Sequence, residues 1–172
     1  MAETLTTLKA RRSCRAYKPE LIEEEKLNAI IEAGTFAATG MGKQSPIIIA
    51  VTDKAMRDKL SRMNAAILGA DMDPFYGAPE LLIVLADKAV PTHVYDGSLV
   101  MGNLMNAAAD FGVASCWIHR AKEEFESEEG KAILKDLGIE GDYEGIGHLI
   151  LGYAAQPEAA PAPRKEGYVY RI

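Results

Sequence analysis

Five cations, Lys9, Arg11, Arg12, Arg15 and Lys18, crowd ten residues near the start of the chain, with Ser13 set among the arginines. Guanidinium groups grip phosphate oxygens bidentately and a hydroxyl adds a donor, so this spacing suits a phosphate-bearing ligand. Solvated surface charge is the plainer reading of the same residues. A second grouping is the loop Thr39-Gly40-Met41-Gly42-Lys43-Gln44-Ser45-Pro46. Its glycines let backbone approach a flat ligand and Gln44 offers an amide to a heterocycle edge, although an ordinary helix-to-strand turn would look the same. His119 closes an apolar run and either stands beside such a ligand or ends a strand with solvent as its partner.

Other chemistries lack a comparable grouping. Gly42-Lys43 would need glycine at position 37 and Ser or Thr at 44 to form a phosphate loop, and those places hold Ala37 and Gln44. Glycines 145, 147 and 152 leave Ile150 where a dinucleotide fingerprint requires its third glycine, and the run leads into a strand instead of following one. Neither HExxH nor GxSxG occurs, which removes support for hydrolytic readings. Cys14 and Cys116 are far apart and outside any CxxC pair, so reduced thiols and no metal centre are expected. Cys116 and Trp117 read as packing residues of an apolar strand, Met101 and Met105 as core or dimer packing, and the acids from Glu123 to Glu129 as a solvated helix face.

The elements that must position these residues follow from periodicity. Leu5 and Leu8 begin a short amphipathic helix ending near Ser13, and Pro19 pushes Lys18 into extended geometry. A second helix spans Ile22 to about Ala38, with Glu23, Glu24 and Glu25 in its first turn, where the dipole favours acids. Ile47 to Val51 is a β-branched run suited to a buried strand, and Asp53 can cap a helix to about Leu68. After a loop from Asp71 to Pro79 come a strand over Leu81–Ala86 and a long helix from Thr92 through Asp110, stopped by Gly112. Ala114–His119 and Ile146–Tyr153 read as further strands, with a weaker helix from Glu123 to Leu137 between them. A tail with Pro157, Pro161 and Pro163 ends in Tyr168-Val169-Tyr170, which could add a strand to a neighbour.

The 172 residues allow one domain, and 48% hydrophobic with 26% charged residues place the chain among globular proteins. A net charge of −6 argues against nucleic acid or an anionic membrane as general partner. The apolar stretch Val94–Phe111 is broken by Asp96, Asn103, Asn106 and Asp110, so it reads as a buried helix rather than a membrane span. The opening MAETLTTLKARR lacks the pattern of a secretory signal, and a cytoplasmic protein is expected.

Arg11-Arg12-Ser13-Cys14-Arg15-Ala16-Tyr17 resembles the RRSxR-F/Y opening of the flavin-dependent nitroreductases. The loop Ala38 to Pro46 resembles that family's turn into the first strand, although Gly42 stands where the pattern has Asn and Gln44-Ser45-Pro46-Ile47 replaces Gln-Pro-Trp. Asp96, Asn103-Leu104 and Ala107-Ala108, then Phe111 through Ile118, resemble its central helix and GLGSCWI strand, and Leu151-Gly152-Tyr153 with Arg164-Lys165 resembles its closing pattern.

The resemblance implies an α+β, three-layer nitroreductase-like fold over residues 1–172, with a central mixed sheet flanked by helices. It implies a homodimer with a domain-swapped C-terminal arm over residues 155–172, binding FMN in two interface clefts. Arg11, Arg12 and Ser13 would hold the FMN phosphate and ribityl region, Arg15 the pyrimidine edge and Gln44 the ring edge or ribityl chain. A backbone amide near His119 and Arg120 would meet flavin N5, and Arg164 and Lys165 would return to the phosphate. The implied activity is ping-pong hydride transfer from NADH or NADPH through N5 to nitroaromatics, quinones or related small-molecule acceptors, with FMN as the reactive group and no catalytic side chain. A flavin-reductase-type relative, or a non-catalytic flavin-binding or storage protein, is the alternative. Only nine residues separate Ala86 from Asp96, so no inserted helices are expected over the cleft.

Overall fold

The most apolar runs become the inner strands of a sheet. In this computed structural model, which describes residues 3–172, β1 (Pro46–Val51), β2 (Glu80–Asp87), β3 (Ala114–Ile118) and β4 (Tyr143–Gly152) are arranged in the order β1-β2-β4-β3. All three strand pairings are antiparallel. The parallel component is confined to one bridge, Ser13 to Ser115, beside β3. Although β2 reads as an unbroken apolar run, its side chains alternate: Leu81, Ile83 and Leu85 enter one hydrophobic cluster, Leu82 and Val84 the other.

Helices cover both faces. On the first, α3 (Lys54–Leu68), α5 (Ala121–Glu126) and α6 (Glu128–Asp136) bring Leu60, Phe125, Ile133 and Leu134 onto the sheet, joined by Phe75 from the preceding loop. On the second, α2 (Glu24–Thr35) and α4 (His93–Asp110) bury Leu27, Ile30, Val100, Met101 and Leu104. Each fully buried side chain of this size contributes about 1.5–3 kcal/mol, which makes these two clusters the main source of cohesion. The remaining helix, α1 (Glu3–Ala10), leads into the basic segment.

Several boundaries differ from the sequence reading for identifiable reasons. The first helix stops at Ala10, not Ser13, because the chain turns to pair with β3, Cys14 N–H donating to Ser115 O at 2.9 Å. The second begins at Glu24 rather than Ile22, whose N–H is drawn to Glu80 Oε2 at 2.7 Å. The helix expected from Glu123 to Leu137 is two helices, divided where Ser127 leaves helical geometry and accepts from Gly130 N–H. Asp53 caps α3 as expected, accepting from Met56 N–H at 2.8 Å. Tyr168-Val169-Tyr170 forms no strand with the other described residues and is exposed.

Candidate functional site

The basic segment is stitched between two strands. Its Ser13 bridges to Ser115, while further along Lys18 N–H donates to Tyr153 O and Ala155 N–H to Ala16 O, both at 2.9 Å. Arg11, Arg12, Ser13 and Arg15 are thereby held beside β3. Arg12 donates through Nη1 to Lys9 O and Arg11 O, yet the buried Nη1 of Arg11 and Nε of Arg12 have no hydrogen-bond partner among the described residues. Buried guanidinium donors without acceptors are costly, and an anion placed beside them would remove that cost. The buried Cys116 thiol is pushed up by desolvation, against the opposing influence of Arg15, Ser13 and Arg11. Burial likewise pushes up the Tyr17 phenol, which donates to Cys14 O at 2.9 Å.

His119, four residues beyond Ser115 and just past the end of β3, borders a cleft of about 380 Å³ lined also by Trp117, Arg120, Ser98, Lys122 and Glu144. At ~3.3 Å per residue the basic segment and this exit are roughly 13 Å apart along one strand, a layout for an elongated ligand with an anionic end. The Trp117 and His119 rings stack with centroids 5.9 Å apart and planes 20° from parallel. A Cβ at Gly147 would lie 2.0 Å from Trp117 Nε1, so glycine is required there for the indole to lie flat. That buried Nε1 has no hydrogen-bond partner among the described residues. Trp117 is half-buried and packs against the α2–α4 cluster, in line with its packing role, but it also walls the cleft. Arg120 adopts a left-handed backbone, φ 79°, and its amide N–H has no hydrogen-bond partner among the described residues. Lys122 is held protonated by hydrogen bonds to Glu144 and Glu126, and Lys122 in turn lowers Glu144.

The glycine loop is anchored by one carboxylate. Asp96, buried in the first turn of α4, accepts from Gly40 N–H at 2.9 Å, Ser45 Oγ at 2.8 Å and Thr92 Oγ1 at 3.0 Å. Burial acts to raise its pKa, but these donors outweigh it and the carboxyl lies below its ordinary value. A Cβ at Gly40 would sit 2.3 Å from Thr92 Oγ1, which explains the close approach of loop and helix. Met41, at φ 53°, and Gln44, at φ 50°, are left-handed, costing about 1–2 kcal/mol each, as expected of a loop whose shape is imposed by its anchors.

The site residues expected from sequence therefore fall into separate groups. Arg11, Arg12, Ser13 and Arg15 lie together beside β3, and His119 stands at its end. Gln44 is exposed beside β1, at the opposite edge of the sheet. Arg164 and Lys165 lie in the exposed tail, Arg164 bonded to Ala162 O and Lys165 over the Tyr168 ring. The acids from Glu123 to Glu129 are not all solvated: Glu124 is fully buried beside His148. Asn64, which holds the turn after β3, carried no sequence signal, since its partners are remote in the chain.

Phe36 and Met41, ahead of β1, are exposed, as are Val94, Tyr95 and Leu99 on α4, with Val94 lining the cleft at the end of β3. Only a short turn joins β2 to α4, so no insertion covers the cleft from that connection. Among the described residues no group of three or more His, Cys, Asp or Glu could hold a metal ion, and no helix is long and apolar enough to cross a membrane.

The nitroreductase family model matches residues 8–153. A curated protein of Archaeoglobus fulgidus, provisionally named NADH dehydrogenase/NAD(P)H nitroreductase, is 29% identical over 158 residues, covering 89% of this chain and 86% of the relative. The crystal structure of a Bacteroides fragilis nitroreductase with bound FMN superposes with a TM-score of 0.90 at 30% identity, covering 100% of both chains. A Desulfitobacterium hafniense nitroreductase with bound FMN gives 0.88 at 26% identity, again over 100% of both.

Proposed function

The chain belongs to the nitroreductase family, and from that premise we propose that it is an FMN-dependent oxidoreductase drawing electrons from NADH or NADPH and passing them to nitroaromatic, quinone or related acceptors. The observation that carries this reading is the alignment along β3 of two unsatisfied donor groups: the buried Arg11 and Arg12 nitrogens beside Ser13, and the unpartnered Arg120 amide at the strand's end. A phosphate at one and an acceptor nitrogen of a flat ring at the other would satisfy both.

Bound FMN supplies hydride chemistry at N5, so the protein's contribution is binding, orientation and charge. Arg11, Arg12 and Ser13 would hold the phosphate. Arg15 would place its cation beside the pyrimidine edge, and the Arg120 N–H would donate to N5. Trp117 and His119 wall the cleft without needing to exchange a proton.

The groups separated within one chain are accounted for by two. We infer that each chain is one domain over residues 1–172, that residues 155–172 cross onto a second copy, and that the α4 face with Tyr95 and Leu99 lies at the dimer contact. β1 leaves one edge unpaired, and the alternation Tyr168-Val169-Tyr170 suits a strand laid along it. In that arrangement Gln44, Arg164 and Lys165 would join the phosphate and ring contacts.

The decisive experiment is spectroscopic. Purified protein should carry, or take up, FMN and show a flavin band that NADH or NADPH bleaches anaerobically. A protein that FMN cannot reconstitute overturns the reading. Retained flavin that dithionite reduces but neither nucleotide does would leave a flavin-binding protein in place of an enzyme.

A further inference from the structure

Asn64 grips the turn that ends β3 at two points. Its Nδ2 donates to His119 O at 2.9 Å, and its Oδ1 accepts from Arg120 Nε at 2.8 Å. The same Nδ2 meets Glu124 Oε1, and Glu124 Oε2 lies 2.9 Å from His148 Nε2, a close contact without hydrogen-bond geometry. Asn64, Glu124 and His148 are each fully buried. Phe75 and Phe125 flank the His148 ring, at centroid distances of 5.3 and 6.4 Å, so the imidazole is held in place against Glu124.

Such a polar chain is an expensive way to join α3, α5 and β4. Desolvating a carboxylate and an imidazole costs several kcal/mol, and apolar residues of similar volume commonly serve stability as well or better. What the chain does, which apolar packing could not, is fix a polar turn. Arg120 is left-handed, a conformation costing about 1–2 kcal/mol for a residue with a Cβ, and it persists only where its surroundings determine it. Asn64 secures both the carbonyl before Arg120 and the Arg120 side chain. With these two points held, the direction of the unpartnered Arg120 N–H is set.

We propose that Asn64, braced by the buried Glu124–His148 pair, is a positioning residue that aims the Arg120 amide at the flavin ring. The proposal rests on the flavin reading above and adds to it the residues that prepare the donor before the ligand arrives. The Arg120 side chain then has an inward role, holding its own backbone in a conformation usually left to glycine.

The test compares full-length wild type with Asn64→Ala, Arg120→Ala, and Asn64→Ala combined with Arg120→Gly. FMN affinity is read by fluorescence, the flavin midpoint potential by dye equilibration, and the Arg120 amide resonance by NMR without flavin. Asn64→Ala should shift the Arg120 amide resonance and raise the FMN Kd about tenfold, the effect of losing about 1.4 kcal/mol. It should also move the midpoint potential to more positive values, because N5 accepts a hydrogen bond only in the oxidised ring. Arg120→Ala keeps the buried Asn64, Glu124 and His148 and the Asn64 bond to His119 O, and it should show the same changes in FMN affinity and midpoint potential to a lesser degree. Glycine enters the left-handed region freely, so adding Arg120→Gly to Asn64→Ala should return affinity to within about threefold of wild type. If wild type binds FMN but Asn64→Ala and Arg120→Ala leave affinity and potential unchanged, the positioning role is overturned and the flavin reading stands. An Asn64→Ala defect that Arg120→Gly does not relieve also overturns it. Failure of wild type to bind FMN removes the flavin reading and this proposal with it.

Discussion

Ser45 donates a 2.8 Å hydrogen bond from Oγ to Oδ2 of Asp96, fastening the loop ahead of β1 to the first turn of α4. Because the same carboxylate also takes the Gly40 amide and the Thr92 hydroxyl, one side chain sets where Gln44 is presented.

Asp96→Ala should therefore free three donors at once and cost about 1–3 kcal/mol for those that remain unsatisfied. The pH dependence has a definite sign. The folded carboxyl lies below its ordinary value of 3.8, so its contribution is present above that value and lost as pH falls through the folded pKa. Urea titrations at pH 7 should show the destabilisation, and the difference between wild type and variant should narrow in acid. A difference that stays constant down to strongly acidic pH would mean that Asp96 is not the anchor described.

Glu80 carries the opposite sign. It is buried, accepts only the Ile22 amide among the described residues, and burial raises its pKa above the ordinary 4.5. A folded carboxyl that holds its proton more tightly than the unfolded one contributes stability below the unfolded value and loses it as pH rises through the folded pKa. Glu80→Gln keeps an acceptor for Ile22 N–H and removes the charge. The variant should equal or exceed wild type in thermal stability at pH 7, and its advantage should shrink towards pH 4.

The contrast between these carboxylates shows what was legible in the sequence. Strand positions followed from apolar runs such as Ile47–Val51 and Leu81–Ala86, and the Asp53 cap from its place before a periodic segment, because both signals are local. The cluster of Arg11, Arg12, Ser13 and Arg15 was visible for the same reason. The left-handed turn at Arg120 was not, since arginine gives no hint of positive φ and its support comes from Asn64 in another helix. The break at Ser127 was hidden within an acidic helical pattern, and the burial of Glu124 depends on His148 from β4. Gln44, Arg164 and Lys165 could be chosen from motif order, but no single chain gathers them with Ser13.

Arg11 allows stability and ligand binding to be separated. Its buried Nη1 has no partner among the described residues, so Arg11→Ala should leave the flavin-free melting temperature unchanged or raise it. Loss of a charged hydrogen bond to phosphate, about 1.5–3 kcal/mol, should weaken FMN binding roughly 10- to 150-fold. Fluorescence titration and calorimetry on the same preparations check both halves. Unchanged FMN affinity would show that the phosphate lies elsewhere.

The C-terminal arm provides the last prediction. Every residue from Ala155 to Ile172 is exposed, including Tyr168, Val169 and Tyr170, and the segment forms no strand with the other described residues. Apolar side chains so displayed gain nothing within one copy, whereas the unpaired edge of β1 could take them up in another. Removing residues 157–172 should shift the sedimentation equilibrium from dimer towards monomer and weaken FMN binding along with it, because Arg164 and Lys165 leave with the arm. The double substitution Arg164→Ala with Lys165→Ala should reproduce only the second effect. A truncated chain that remains fully dimeric refutes the crossing arm, and a double variant that also loses the dimer shows that these cations serve the subunit contact and not the phosphate.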